Sequence, residues 1–179
     1  MNKSISDLIT DSEIRIHKFS DTLQAESDRG CALVSAAYLD ESLKQLLLKS
    51  FVKDKLSQKI LDKELQPFSF RIEMAFLLGK INRIAYRDLH LIRKIRNQFG
   101  HSEELITFES PQIRDRCSEL QYANKAPNQT PRLLFISATC TLLGAIDAVA
   151  VQAPTPLIRT SQPPNSFLRE ICKDKEVPN

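Results

Sequence analysis

Residues 28–51 read DRGCALVSAAYLDESLKQLLLKSF, and this stretch decides the fold class. Leu33, Ala36, Leu39, Leu43, Leu46 and Leu47 recur at intervals of three, four and one, the repeat of one face of an α-helix, with Lys44 and Lys49 off that stripe. Upstream, residues 4–23 carry a rougher stripe of Ile5, Leu8, Ile9, Ile16, Phe19 and Leu23, interrupted by charge, which predicts a helix packed on the core from outside. Downstream, Ser57–Leu65 is a short amphipathic segment. Pro67 then breaks the chain, and Ser69 is the expected cap of a helix running to about Leu78 and closed by Gly79 and Lys80.

The next helix, from about Arg83 to Phe99, has two faces. Ile84, Leu91, Ile92, Ile95 and Phe99 form a core stripe, and Arg83, Arg87, His90, Lys94 and Asn97 form a polar, basic one whose charge only Asp88 dilutes. Gly100 is expected to end it, leaving His101 at the exit. Ser110-Pro111 and Thr130-Pro131 each pair a capping hydroxyl with a proline at the first helical position. The stretch from Leu133 to Ala153 has a single charge, Asp147, and approaches membrane-spanning length. Ser137, Thr139, Thr141 and Gln152 interrupt it and no aromatic belt flanks it, so it reads as a buried central or interface helix, with no membrane expected.

Composition agrees. A chain of 179 residues that is 42% apolar and 26% charged, with 4 Gly and no Trp, suits one all-α domain better than a sandwich, a barrel or a disordered segment. The expected architecture is a single bundle of six or seven helices over residues 1–153, with segments 28–52 and 83–100 antiparallel in the core. Residues 154–179, with five prolines, read as a loose arm. The net charge of +3 is too small to demand a nucleic acid by itself. The charged N-terminus has no secretory pattern, which predicts a cytoplasmic protein. Cys31, Cys117, Cys140 and Cys172 form no Cys-x-x-Cys pair, so no metal site is expected. No P-loop, GxGxxG, HExxH or GxSxG occurs, and no small-molecule cofactor is expected. The long apolar helix at 133–153 and the proline-rich arm together predict a homodimer.

The residues able to carry chemistry lie near the end of the helix at 83–101. Arg96-Asn97-x-x-x-His101 resembles the arginine-to-histidine motif of the HEPN helical-bundle superfamily. That resemblance implies a metal-independent ribonuclease in which Arg96 holds the scissile phosphate, Asn97 orients the groups and His101 moves a proton. On a continuous helix Arg96 and His101 lie about 140° apart, so such a site is expected to need unwinding at Gly100 or a second subunit. The plain structural reading gives Arg96 an ion pair with Asp40 or Glu41 and makes His101 a cap for the last carbonyls. Arg83, Arg87, His90 and Lys94 are either a solvated face or a surface for nucleic acid or a partner.

A broader resemblance covers about residues 27–120. Ser27-Asp28-Arg29-Gly30, Tyr38-Leu39-Asp40-Glu41-x-Leu43, Phe68-Ser69-x-Arg71-Ile72, Leu77-Leu78-Gly79-x-Ile81 and Asp88-Leu89-x-Leu91-Ile92-x-x-Ile95-Arg96-Asn97 occur in the order of the mannitol operon repressor family. This resemblance implies an all-helical cytosolic regulator of transcription that lacks a recognised helix-turn-helix and works through protein partners. A HEPN-type ribonuclease or toxin is the alternative, and a stoichiometric antitoxin or immunity protein is the third reading.

Overall fold

Helix α2 (Asp28–Ser50) is the centre of the molecule, with α1 (Ile5–Ala25), α4 (Phe68–Leu77), α5 (Arg83–His101) and α7 (Pro131–Gln152) packed around it. Two short helices complete the set, α3 (Lys55–Lys63) against α2 and α6 (Pro111–Glu119) against α5 and α7. The computed structural model describes residues 5–51 and 55–152, with side chains from Thr10 onward, so Ile5, Leu8, Ile9, the 154–179 arm and Cys172 lie outside the described side chains. Among the described residues there are seven helices and no strand, an all-helical bundle.

Apart from Leu33, which is only partly buried, the stripe of α2 is buried as its spacing predicts, and it is composed of two halves. Cys31, Ala32, Ser35 and Ala36 are small and let neighbours approach; Leu39, Leu43, Leu46 and Leu47 then fill the wider interior. Helix α5 runs antiparallel to it. Arg29 near the start of α2 donates from Nη2 to the carbonyl of Ser102 at 2.6 Å, and Leu33 lies beside Gly100. That bond satisfies a carbonyl just past the end of α5, whose last turn runs through Gly100 to His101 with Ser102 as the C-cap. Gly100 therefore does not end the helix: the backbone there has no left-handed φ, and its Cα lies where α2 approaches.

Two other terminators differ from expectation. Pro67, not Ser69, is the N-cap of α4 and supplies no side-chain bond, because Ser69 lies inside the first turn. The Ser110 hydroxyl accepts from the Thr107 amide at 3.1 Å and does not cap α6. Ser27, Asn82 and Thr130 do accept from the amides of Gly30, Ala85 and Leu133. Gly79, at φ 65°, closes α4 with paired bonds from its own amide to Phe76 and from Lys80 to Ala75.

The core face of α5 is Ala85, Asp88, Leu89, Leu91, Ile92, Ile95 and Phe99. Ile84, expected inside, is 45% exposed, and Asp88, expected on the solvated stripe, is fully buried. The reason is polar. Asp88 Oδ2 accepts the amides of Gln121 and Tyr122 at 2.7 Å each, so a carboxylate occupies the core face in order to hold the chain that leaves α6.

Helix α7 is long and apolar enough to cross a membrane by length and composition. Here Phe135, Ile136, Leu142, Leu143 and Ile146 are buried against α1, α2, α5 and α6. Its charge, Asp147, pairs with Arg15 at 2.5 Å, and Gly144 admits the Ile16 side chain of α1. At its other end Arg132 donates to the carbonyls of Leu23, Gln24 and Glu26 at the end of α1 and pairs with Asp28, whose other oxygen accepts the Phe108 amide at 2.9 Å. The chain itself thus buries only part of this helix: Leu133 and Val151 are 43% and 47% exposed.

Candidate functional site

A cavity of about 560 Å³ opens between α2, the start of α4 and the second half of α5. Its α2 wall is Leu33, Ala36, Ala37 and Asp40, and its α4 wall runs from Gln66 to Ser69. Small side chains on α2 leave the space. Helix α5 contributes Arg93, Asn97 and His101, spaced four apart and therefore on one face, together with Arg96 on the flank.

The structure thus brings Arg96, Asn97 and His101 together, without unwinding at Gly100 and within a single chain. A long side chain spans the azimuthal gap: Arg96 Nη1 donates to Asn97 Oδ1 at 3.0 Å. The ion pair expected for Arg96 is made by another arginine. Arg71 of α4, 6% exposed, reaches Asp40 Oδ2 at 2.7 Å because Asp40 faces α4, while Glu41 accepts from Gln45 one turn along at 2.7 Å. Burial raises the Asp40 carboxyl above its ordinary range, outweighing the hydrogen bond and charge of Arg71. His101 is exposed and makes no bond to the last carbonyls; the Ser102 amide, donating to Gln98 at 3.1 Å, does the capping.

Arg93 and Arg96 have no carboxylate within ion-pair distance among the described residues, and Arg93 Nε is buried without a hydrogen-bond partner. Asp40 Oδ1 is likewise buried and unpartnered. The cavity therefore holds two unneutralised guanidinium groups beside one neutralised carboxylate, an arrangement suited to an anion. His101 is the one imidazole on its wall.

The expected basic stripe is dispersed. Arg87 is bound to α6, donating to the Glu119 carbonyl at 2.8 Å and to its carboxylate at 3.1 Å. Arg83 lies over the Phe76 ring, 5.6 Å from its centroid. His90 meets the Tyr86 ring edge-on at 4.6 Å with Nε2 buried and unpartnered, and burial, then the charges of Arg93 and Lys94, lowers its pKa against the opposing pull of Glu73. Lys94 is exposed, and of the four it is the one with no bond or ring contact among the described residues. Among the described residues no three His, Cys, Asp or Glu side chains come together as a metal site.

Sequence reasoning placed Arg93 at the start of the stretch 93–101 able to carry chemistry but gave it no role, and it gave none to Arg71. Arg93 was findable, since it precedes Asn97 and His101 by one and two turns on the same face. Arg71 carried no signal of its own, because its partner lies 31 positions away and on another helix.

The model of the family described as mannitol repressor, MtlR, matches residues 21–135, a span that contains every residue lining the cavity. The fold is similar to that in the X-ray structure of the MtlR–HPr complex from Escherichia coli, with a TM-score of 0.61 and 21% identity over 74% of this chain and 98% of that one. No curated protein matches the chain in sequence. Neither finding extends to the HEPN superfamily. With the family pattern running through the greater part of its length, from the end of α1 to the first turn of α7, this chain belongs to the mannitol repressor family.

Proposed function

We propose that this protein is a cytoplasmic regulator that acts by binding a protein partner and not by turnover. The observation that carries the reading is its membership of the mannitol repressor family, joined to a fold shared with a protein solved in complex with HPr. HPr is accordingly the first partner to test, and transcriptional control would follow from what that partner reports. Candidate surface residues for it are Phe70, Leu77 and Leu78 of α4 and its C-cap, with Ile84 at the start of α5, which are 41–77% exposed among the described residues. Direct contact with nucleic acid is not required by this reading, because Arg87 is already engaged and Arg83 and His90 lie against rings.

Titration calorimetry of the purified chain with HPr from the same cell tests it. The expected result is a saturable complex weakened by Leu77→Glu without loss of melting temperature. Absence of binding, or binding indifferent to Leu77→Glu, overturns the partner or the surface respectively. Self-association lost in Leu77→Glu would instead identify the occupant as a second copy, the homodimer.

One observation favours the ribonuclease as a second reading, namely that Arg96, Asn97 and His101 line one cavity in a single chain. Metal-independent cleavage of RNA, lost in His101→Ala with the fold intact, would establish it.

A further inference from the structure

The cavity holds more positive charge than its own residues neutralise. Arg93 and Arg96 both line it, neither has a carboxylate partner among the described residues, and Arg93 Nε is buried without any acceptor. Buried donors without partners are uncommon in folded proteins, and one on the wall of a cavity can be satisfied by an anion bound there. Two guanidiniums match a dianion better than a single carboxylate, and a phosphate monoester carries close to two charges near neutral pH with three acceptor oxygens. The start of α4 adds to this, since Pro67 leaves its first turn without a side-chain cap and Ser69 borders the same space.

A bare anion would leave half of the wall unexplained. Asp40 also lines the cavity; Arg71 occupies its Oδ2, while Oδ1 is a buried acceptor with nothing to accept. A ligand hydroxyl is the donor that this oxygen lacks. The volume of about 560 Å³ falls in the range of small-molecule sites, and Ala36 and Ala37 give it an apolar floor. A polyanion would need a basic track leading away, and Arg87, Arg83 and His90 do not provide one.

We propose that the cavity between α2, α4 and α5 binds a small, hydroxyl-bearing phosphate monoester, its phosphoryl group held by Arg93 and Arg96 and a hydroxyl bound by Asp40. This goes beyond the partner reading: failure of HPr to bind would leave the cavity as it is, and failure of the ligand would leave the apolar patch as it is.

Calorimetry with inorganic phosphate, glycerol 3-phosphate, a hexose 6-phosphate, the free hexose and a short oligouridylate tests the proposal on the full chain. The phosphate monoesters are expected to bind, more tightly than inorganic phosphate and with the free hexose silent. Arg93→Gln and Arg96→Gln should each weaken binding about ten-fold or more, whereas Lys94→Gln, which removes an equal charge outside the cavity, should change it less than about two-fold. Asp40→Asn should weaken the hexose phosphate but not inorganic phosphate. Should a variant fail to fold, amide shifts of Ser69 and Asn97 in the wild-type protein on addition of hexose 6-phosphate supply the same answer. No binding by any monoester, inorganic phosphate bound as tightly as the esters, an effect of Lys94→Gln equal to that of Arg93→Gln, or oligouridylate bound in preference would each overturn it.

Discussion

Arg71 and Asp40 form a cross-helix ion pair at 2.7 Å in which the arginine is almost wholly withdrawn from water, and it joins α4 to α2 beside the cavity. Removing one member of such a pair leaves the other charge buried. Arg71→Ala should therefore destabilise the protein by about 3 kcal/mol, and Arg71→Ala with Asp40→Ala by less than the sum of the single changes. Urea unfolding of the four proteins measures this, and additive losses would show that the pair is not coupled.

Asp88 makes a second demand of the same kind. Its Oδ2 serves the amides of Gln121 and Tyr122, so Asp88→Ala should cost about 3 kcal/mol, while Asp88→Asn, which keeps an acceptor, should cost less. Hydrogen exchange at Gln121 and Tyr122 should accelerate in Asp88→Ala well before exchange in α2 does. Unchanged protection of both amides would contradict the geometry.

Leu43 and Ile95 are fully buried, and replacing either by Ala should cost about 2–5 kcal/mol through the space left behind. Ile84→Ala should change stability by less than about 0.5 kcal/mol, since that side chain is half exposed. The three melting curves together test how α5 is rotated about its axis. A loss in Ile84→Ala as large as in Ile95→Ala would turn the helix.

Burial pushes the thiols of Cys31 and Cys117 up to about 12 from 9.0. Because the folded values are raised, the stability these thiols contribute is fully present below pH 9 and is lost as pH rises through about 12. Alkaline unfolding should consequently be shallower in a Cys31→Ala, Cys117→Ala variant. At pH 8 an alkylating reagent should leave both thiols unmodified in the folded protein. Rapid modification of either would show that the region opens.

The legible parts of the fold were those written at short range. The leucines of α2 from Leu39 on, the core positions Leu91, Ile92, Ile95 and Phe99 of α5 and the glycine closing α4 all follow from spacing within one or two turns. Asp88, Arg71 and Arg132 were illegible for a common reason, namely that their partners are backbone groups or carboxylates 31 to 109 positions away, and a charge looks solvated until those partners are in place. The same holds for Ser69 and Ser110, whose hydroxyls suit a cap but whose exact place in the first turn depends on where α2 and the 102–110 segment lie. At the cavity, the azimuth of Arg96 and His101 argued against a shared site because it counts Cα positions on one helix, whereas a cavity walled by three helices is wide enough to be lined by both.

Helices α1 and α7 are joined at both ends of their contact, Arg132 at the carbonyls of Leu23 and Gln24 and Asp147 at Arg15. They therefore run antiparallel, and the first and last described turns meet at one pole of the bundle. In topological terms the described helices form a nearly closed ring, and a short linker joining residue 152 to residue 5, with a new break at an exposed loop, would keep every described helix pairing. Conversely, a fragment trimmed to the family-matched span 21–135 would lose most of both helices and bare the side of α2 that they cover.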